Sequence, residues 1–421
     1  MKIFKFGGAS VKDAEGVRNV AGILSRYSGE QVLVVISAMG KMTNMLEDLV
    51  HAYFHHTGSA IAIMKQIREF HYQILSDLGE DSIQSINDVD NLLLELECLV
   101  ENPNNLEDFD FVYDQIVCFG ELISTRIVSN YLLAKQTRNQ WIDARNFILT
   151  DNRYRDSKID WAKTEHLISS RLKPLAEKNL VITQGFIGRD SVNATTTLGR
   201  EGSDYSAAIF AYCLHAESVT IWKDVSGVMN ADPRKFAFAQ LIPELSYNDC
   251  IELAYYGASV IHPKTIQPLK ARNIPLYVRS FIHPDEMGTT VSNQAKPLNM
   301  PCYIHKSPQM MVELSTRDFT FIVEDTLREI FAMLAENKVR CGIMQNSAIS
   351  FKFVSDQNES RWSKLKVLFD NAGLVYEIKE HLELLTVYNG VQTKTDELTA
   401  GKKILMQQNS ATTLHLVLSH Q

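Results

Sequence analysis

Apolar residues follow two alternating rhythms along the first two thirds of the chain. "KIFKF", a strand-like run at 2–6, empties into "GGAS" and then into "VKDAEGVRNVAGILSRY", where Val17, Val20, Ala21 and Leu24 recur at helical spacing. "QVLVVISAM" follows, an unbroken β-rich run that suits a strand covered on both faces. The three segments therefore form a strand–helix–strand unit and predict a parallel sheet. From about 45 to 110 the rhythm is helical throughout, in "MLEDLVHAYFHH", "IAIMKQIREFHYQIL" and "DVDNLLLELECLVEN", which predicts a helical excursion laid over the sheet edge. Strand runs return at 180–188 ("LVITQGFIG"), 218–228 ("SVTIWKDVSGV") and 274–281 ("IPLYVRSF"), with helical stretches "SDYSAAIFAYCLHA" and "NDCIELAYYGA" between them.

After "HPDEMGTTVSNQAKPLNMP", whose composition is that of a linker, the rhythm changes. "QMMVELST", "VEDTLREIFAMLAENKV", "CGIMQNS", "AISFKFVSD", "SRWSKLKVLFDNAG" and "LVYEIKEHLELLTVYN" predict the order β-α-β-β-α-β of a ferredoxin-like α+β unit. "SRWSKLKVLF" reads as an amphipathic surface helix, and "GKKILMQQNSATTLHLVLSHQ" adds strand without a helix of its own. The expected division is an α/β domain at 1–297 and a smaller α+β region at 298–421.

Composition narrows the class of protein. With 421 residues, 45% hydrophobic and 22% charged, the chain is long enough for two or three globular domains. A formal net charge of −8 leaves no basic footprint for nucleic acid or an anionic membrane. The start lacks a signal-peptide pattern, and runs such as "VLVVI" are too short to span a bilayer, so the expected location is cytoplasmic. The six cysteines are scattered without a C-x-x-C pair and read as reduced, mostly core thiols. His51, His55, His56 and His71 fall in the helical excursion without an H-E-x-x-H pattern, and read as a solvated helix face.

Glycine-rich turns carry the candidate chemistry. A strand ending in Gly7-Gly8 ahead of a helix offers free backbone N–H groups to an anion, and Lys5 lies just upstream. Alone, "KFGGAS" is equally a tight turn with a snorkelling lysine, since it matches neither the Walker nor the dinucleotide pattern. Other segments agree with the anion reading. "SAMGKMTN" (37–44), with Gly40, follows the second strand, so a second cradle would lie beside the first where ligands of open parallel sheets bind. "TTTLGREGSDYSAA" (195–208) packs hydroxyls, glycines, an arginine and an acid into a turn where a helix begins, with Ser203 or Asp204 suited to cap it. "FGELIST" places Glu121 after a glycine, and "KDVSGVMNADPR" (223–234) is a loop after a strand.

In this order, "KFGGAS", "ISAMGKMTN", "FGELIST", "VITQGFIG", "TTTLGREGSDYSAA", "DVSGVMNADPR" and "YGASVIHP" resemble the motif series of the aspartate kinases of the amino-acid kinase superfamily. The C-terminal part resembles the ACT-type regulatory region of the same enzymes. The resemblance implies a mostly parallel sheet between helices and transfer of a phosphoryl group from ATP to the side chain of L-aspartate, giving 4-phospho-L-aspartate, an early step toward lysine, threonine and methionine. It implies that Lys5 meets the transferring phosphate, that Gly7, Gly8 and Gly40 let backbone donors approach it, and that Mg²⁺ arrives on the phosphates. Arg200 would hold the α-carboxylate of aspartate and Glu121 its α-amino group. Thr43, Phe186 and Ser203 would complete that pocket, Ser37 is placed for either substrate, and Asp204 would orient this arrangement or contact the metal through water. Lys223, Asp224, Met229, Arg234 and Ser259 fall on the nucleotide side.

The chain departs from the common pattern at Ala9, Lys223, Met229 and Ser259, where relatives often have Thr, Thr, Tyr and Lys; Lys223 is the expected replacement for the cation missing at Ser259. The resemblance also implies a homo-oligomer joined through ACT units and a lysine or threonine effector. One full unit is recognisable, at about 310–376, and the second is shortened. "STRDFTFIVED" lacks the glycine of the usual effector loop, which argues against amino-acid inhibition. Two alternatives are a superfamily enzyme with another acceptor and a silent amino-acid-binding regulator; the pairing of Glu121 with Arg200 and the C-terminal ACT-type region argue against the first, and retention of Lys5, Glu121, Arg200 and Asp204 against the second.

Overall fold

The computed structural model describes residues 1–79, 82–101, 108–258, 261–317, 320–390 and 395–420. The chain folds as two compact units, one of Met1–Val228, Leu241–Ile251 and Ser259–Pro297, the other of Met229–Gln240, Glu252–Ala258 and Leu298–Gln421.

The strands up to the linker are β1 (Lys2–Phe6), β2 (Val32–Ile36), β3 (Asn139–Trp141), β4 (Leu180–Gln184), β5 (Ile187–Arg189), β6 (Thr195–Thr197), β7 (Ser218–Lys223), β8 (Glu244–Leu245), β9 (Leu276–Ser280) and β10 (Thr289–Val291). The helices are α1 (Ala14–Ser25), α2 (Met42–Phe54), α3 (Ala60–Leu78), α4 (Ile83–Glu101), α5 (Phe109–Val117), α6 (Phe119–Ala134), α7 (Trp161–Leu167), α8 (Lys173–Ala176), α9 (Gly202–Leu214), α10 (Tyr247–Tyr256) and α11 (Pro263–Ala271). One sheet runs β3-β4-β2-β1-β7-β9-β10-β8, parallel from β3 to β9, with β10 antiparallel to β9; β5 and β6 form a separate hairpin.

β1 lies between β2 and β7, and the chain leaves it in opposite directions along the sheet, so a topological switch point lies at its carboxyl end. The period of two in a strand divides its side chains between faces. Phe4 packs edge-on against Tyr27, just past α1, at 4.7 Å between centroids, and Phe6 stacks on Trp222 at 5.9 Å. Lys5 points to the other face, where α9 lies across β1, β7 and β2.

The excursion is helical as expected, and its helices pack against α6. α6 lies on β2, β3 and β4, with α3 and α4 packed outside it. Phe109–Ala134 is apolar enough to cross a membrane by composition, yet 89% of its most apolar stretch is buried, as in a core helix covered on two sides. The histidines divide: His51 and His55 are exposed, whereas His71 is fully buried, its Nδ1 2.8 Å from the Ile67 carbonyl. Burial pulls the His71 imidazole down to about 4 and keeps it neutral. The solvated-face reading therefore fails at His71, whose turn faces the core.

In the second unit, β11 (Cys302–Thr316), β12 (Ile343–Asn346), β13 (Ser350–Asp356), β14 (Leu374–Tyr388), β15 (Lys402–Asn409) and β16 (Thr413–His420) form one antiparallel sheet in the order β12-β13-β11-β14-β16-β15. α12 (Glu324–Glu336) and α13 (Glu359–Asn371) complete a ferredoxin-like unit, while α14 (Thr395–Thr399) is a single short turn of helix. Trp362, Leu365 and Phe369 of α13 bury against Phe353, Val312 and Leu314 of the sheet. β11 starts at Cys302, earlier than its apolar run suggests, because 302–306 pairs with 384–388. Asp318 and Phe319 of the effector-loop expectation lie outside the described residues.

Four segments of this unit meet at Glu383. Its carboxylate lies 2.6 Å from Lys402 Nζ, 2.8 Å from His420 Nε2 and 3.1 Å from His305 Nε2. Burial alone would push Glu383 up, but Lys402 and His305 outweigh it and hold the carboxyl near 2. A depressed acid contributes stability above its unfolded value and loses it as pH falls through the folded one. The melting-temperature advantage of wild type over Glu383→Gln is therefore expected to shrink from pH 5.5 to pH 3; a constant difference in thermal melts would contradict this.

Candidate active site

The carboxyl ends of β1, β2, β4 and β7 carry the candidate residues, because parallel strands end on one side of the sheet. Past β1 the chain enters a tight turn at Gly8–Val11, and past β2 it forms a loop closed by Gly40 in the left-handed conformation (φ +56°). The loops are tied together: Gly40 N–H donates to Gly8 C=O at 3.0 Å, and Ser37 N–H donates to Phe6 C=O at 3.1 Å. They approach so closely that a Cβ on Gly8 would lie 2.7 Å from the Ala38 oxygen and 2.9 Å from that of Gly40. Gly8→Ala must spread the two backbones, at a cost of about 1–3 kcal/mol. A lowered melting temperature is expected; melts matching wild type would exclude that crowding.

Lys5 at the end of β1 places its Nζ 2.6 Å from Asp204 Oδ1, and Lys223 at the end of β7 places its Nζ 3.5 Å from Asp204 Oδ2. Burial pushes the Asp204 carboxyl up, but the Lys5 and Lys223 ammoniums outweigh it and hold the acid below the usual carboxylate range. Asp204 thus stays charged and spaces two cations. The capping expectation is corrected here: Glu201, not Ser203 or Asp204, is the residue before α9, and no side chain caps that helix. Asp204 is the third residue inside the helix, and its carboxylate is engaged by the lysines.

Glu121, in the first turn of α6, is almost wholly buried. Its Oε1 accepts from Ala38 N–H at 3.3 Å, whereas Oε2 has no hydrogen-bond partner among the described residues. Desolvation pushes its carboxyl up to about 8, against smaller opposing effects of the Ala38 N–H and Lys5. Such a carboxyl is suited to a cation brought by a ligand, since pairing would offset the burial. Beside it, Ser124 Oγ donates to Ser37 C=O at 2.7 Å.

At the end of β4, Gly185 backs onto α9 so closely that a Cβ would meet Ser203 Oγ at 2.5 Å. Phe186 is held at φ +70°, its N–H donating to Ser206 Oγ at 2.9 Å, and is half-buried. Thr43 lies in the first turn of α2, and Arg200 is exposed on the turn before α9. Sequence reasoning missed Glu201, which adopts φ +54° with Oε2 buried and feels Lys223, Arg200 and Lys5. The available signal was an acid standing between Arg200 and Gly202.

The amino acid kinase family profile matches residues 1–280. Lysine-sensitive aspartokinase 3 of Escherichia coli is 32% identical over 365 residues, which cover 85% of this chain and 79% of that one. The chain belongs to the amino acid kinase family, in its aspartokinase branch. Among solved structures, E. coli aspartokinase III with aspartate and ADP in the R-state aligns with this kinase at a TM-score of 0.84 and 29% identity, covering 99% of this chain and 96% of the other. The T-state of that enzyme, with lysine and aspartate, aligns at 0.82 and 29%, covering 99% and 95%.

Not every candidate gathers at these strand ends in the kinase. Asp224 is exposed on the loop beyond β7. Met229 and Arg234 belong to the second unit, where Arg234 pairs with its neighbour Asp232 at 2.9 Å. Ser259 lies outside the described residues.

Proposed function

We propose that this chain is an aspartate kinase, converting ATP and L-aspartate to ADP and 4-phospho-L-aspartate. The observation that carries the reading is the pairing of a buried, half-unsatisfied Glu121 carboxyl with the Lys5–Asp204–Lys223 array, one suited to an ammonium group and the other to phosphate. A carboxylate acceptor is already a nucleophile, so the reaction needs no base; it needs two anions brought together and the charge on the migrating group spread.

Arg200 takes the α-carboxylate of aspartate in a two-pronged pair and Glu121 takes its ammonium, which leaves the side-chain carboxylate directed at the nucleotide. Ser37, Thr43, Phe186 and Ser203 shape the pocket around it. Lys5 neutralises the transferring phosphoryl group, and the Gly7-Gly8 and Gly40 loops supply backbone N–H donors. Alignment of the two reactants is worth roughly 7–11 kcal/mol of the barrier. Among the described residues no group of three or more His, Cys, Asp or Glu is arranged to hold a metal, and Asp204 is already engaged by two lysines. Mg²⁺ would arrive on the ATP phosphates, beside Lys5 and Lys223, and neutralise their charge.

Lys223 supplies the second cation in place of a lysine at 259, and Asp224, on the loop beyond β7, lies on the nucleotide side. Lys223→Ala is expected to raise the KM for ATP and lower turnover, each roughly tenfold, the scale of one lost charged contact; unchanged values would remove Lys223 from this role. The decisive experiment is ATP-dependent aspartyl hydroxamate formation with glutamate as control. Product from aspartate alone is expected, and none from aspartate would overturn the reading. We further propose a cytoplasmic homo-oligomer joined through the second unit and responsive to lysine or threonine, because the lysine sensitivity of the E. coli relative and its lysine-bound T-state outweigh the missing loop glycine that argued against inhibition. Sedimentation and calorimetry with each amino acid test these points: a monomer, or heats matching buffer, would count against them.

A further inference from the structure

β6 is three residues long and pairs only with β5, so as a two-stranded hairpin it is marginal by itself. Its neighbours Ala194 C=O and Leu198 N–H face the β5 side, bonding Asp190 N–H and Phe186 C=O, which turns the polar groups of Thr195 and Thr197 to the opposite edge. Among the described residues no strand lies there, yet the backbone groups of Thr195 and Thr197 on that edge are all paired. Gln115 Nε2 donates to Thr195 C=O at 2.9 Å while its Oε1 accepts from Thr195 N–H at 3.1 Å, so one side-chain amide reproduces the double exchange a neighbouring strand would make. Asp114 accepts from Thr197 N–H at 2.8 Å and Thr197 Oγ1 at 2.7 Å, and Ser157 N–H donates to Thr197 C=O at 3.0 Å. The Asp114 carboxylate also accepts Arg155 N–H at 3.1 Å, tying in the 151–157 segment.

We infer that Asp114 and Gln115 on α5 act as a surrogate strand that fixes β6, and are positioning residues for the arginine that grips the substrate α-carboxylate. Arg200 follows β6 by three residues. It makes no ion pair among the described residues and stands on a tight turn, with Gly199 at φ +76° and Gly202 N–H donating to Gly199 C=O at 3.0 Å. Its position is therefore set from the two ends of that turn, β6 on one side and α9 on the other. Asp114 suits the role because a carboxylate has only acceptors and meets only donors; an amide would turn an NH₂ against one of them. This inference rests on the reading that Arg200 binds the α-carboxylate of aspartate.

The test uses the full chain with Asp114→Asn and Gln115→Ala, comparing steady-state kinetics with hydrogen exchange of the 195–203 amides in the absence of substrates. Asp114→Asn is expected to raise the KM for aspartate about tenfold and Gln115→Ala roughly threefold, the scale of lost buried hydrogen bonds. The KM for ATP and kcat should stay within about twofold, and the Thr195 and Thr197 amides should exchange faster while β1 stays protected. Faster exchange with an unchanged KM for aspartate would overturn the positioning role, and unchanged exchange would overturn the clamp. If Asp114→Asn loses protection throughout, the Gln115→Ala values decide by the same criteria. A wild-type chain that does not phosphorylate aspartate would overturn the substrate reading, and this inference with it, before any variant is made.

Discussion

Replacing Lys5 by methionine is expected to lower the turnover of aspartyl phosphate formation roughly 10³-fold, about 4 kcal/mol of transition-state stabilisation, with the KM for aspartate changed only a few-fold. The size follows from the site. Lys5 is the closer of the two cations on Asp204, and it projects from an interior strand that cannot shift to let another group take its place. Methionine keeps most of the aliphatic volume, so loss of packing does not enter, and Lys223 continues to hold Asp204 in its charged form. Lys5→Arg should recover only part of the rate, since a broad planar guanidinium fork does not reproduce a compact ammonium. Single-turnover measurements alongside thermal melts check this. A Lys5→Met enzyme within tenfold of wild type would place the migrating phosphate elsewhere.

Glu121→Gln is expected to raise the KM for aspartate about 30-fold or more, on the scale of 2 kcal/mol or above for breaking a buried charged pair, with kcat nearly unchanged. The pH dependence is more specific. With the carboxyl near 8 in the free enzyme, binding the substrate ammonium below that pH must release a proton. The wild-type KM for aspartate should therefore rise roughly fivefold between pH 8 and pH 7, and the variant should lack this rise. Stability runs the same way. A raised acid favours the fold most below its unfolded value, and that contribution is lost as pH rises from 4.5 through 8. Without substrate, Glu121→Gln should thus gain on wild type in thermal melts between pH 6 and pH 9; parallel curves would show that the carboxyl is already ionised at neutral pH.

The central sheet and the glycine loops were legible because both are written locally: apolar runs of five residues, and glycines at strand ends where the backbone must turn. β3, β8 and β10 were not, because strands of two or three residues carry no period. The α5 clamp escaped for a different reason. Gln115 and Asp114 do the work of a strand with side chains, and nothing in "VYDQIV" marks them off from polar positions in any other helix. At Glu121 the residue type was readable but its environment was not, since burial by α6 and the β2 loop decides its ionisation. Asp204 looked like a cap because it stands near a helix start; the two lysines that claim it come from strand ends 199 and 19 residues away in the sequence.

β1 also constrains how the chain can vary. Its alternation places the phenyl rings of Phe4 and Phe6 on one face and the ammonium of Lys5 on the other, and both outcomes depend on the same parity. Exchanging Ile3 or Phe4 for another apolar residue perturbs only packing. Gaining or losing one residue between Lys2 and Gly7 would instead bury a charge among aromatic rings and turn an apolar side chain toward Asp204. This strand can therefore tolerate substitution far better than insertion or deletion, so its length, more than the identity of its apolar residues, is the invariant the site requires.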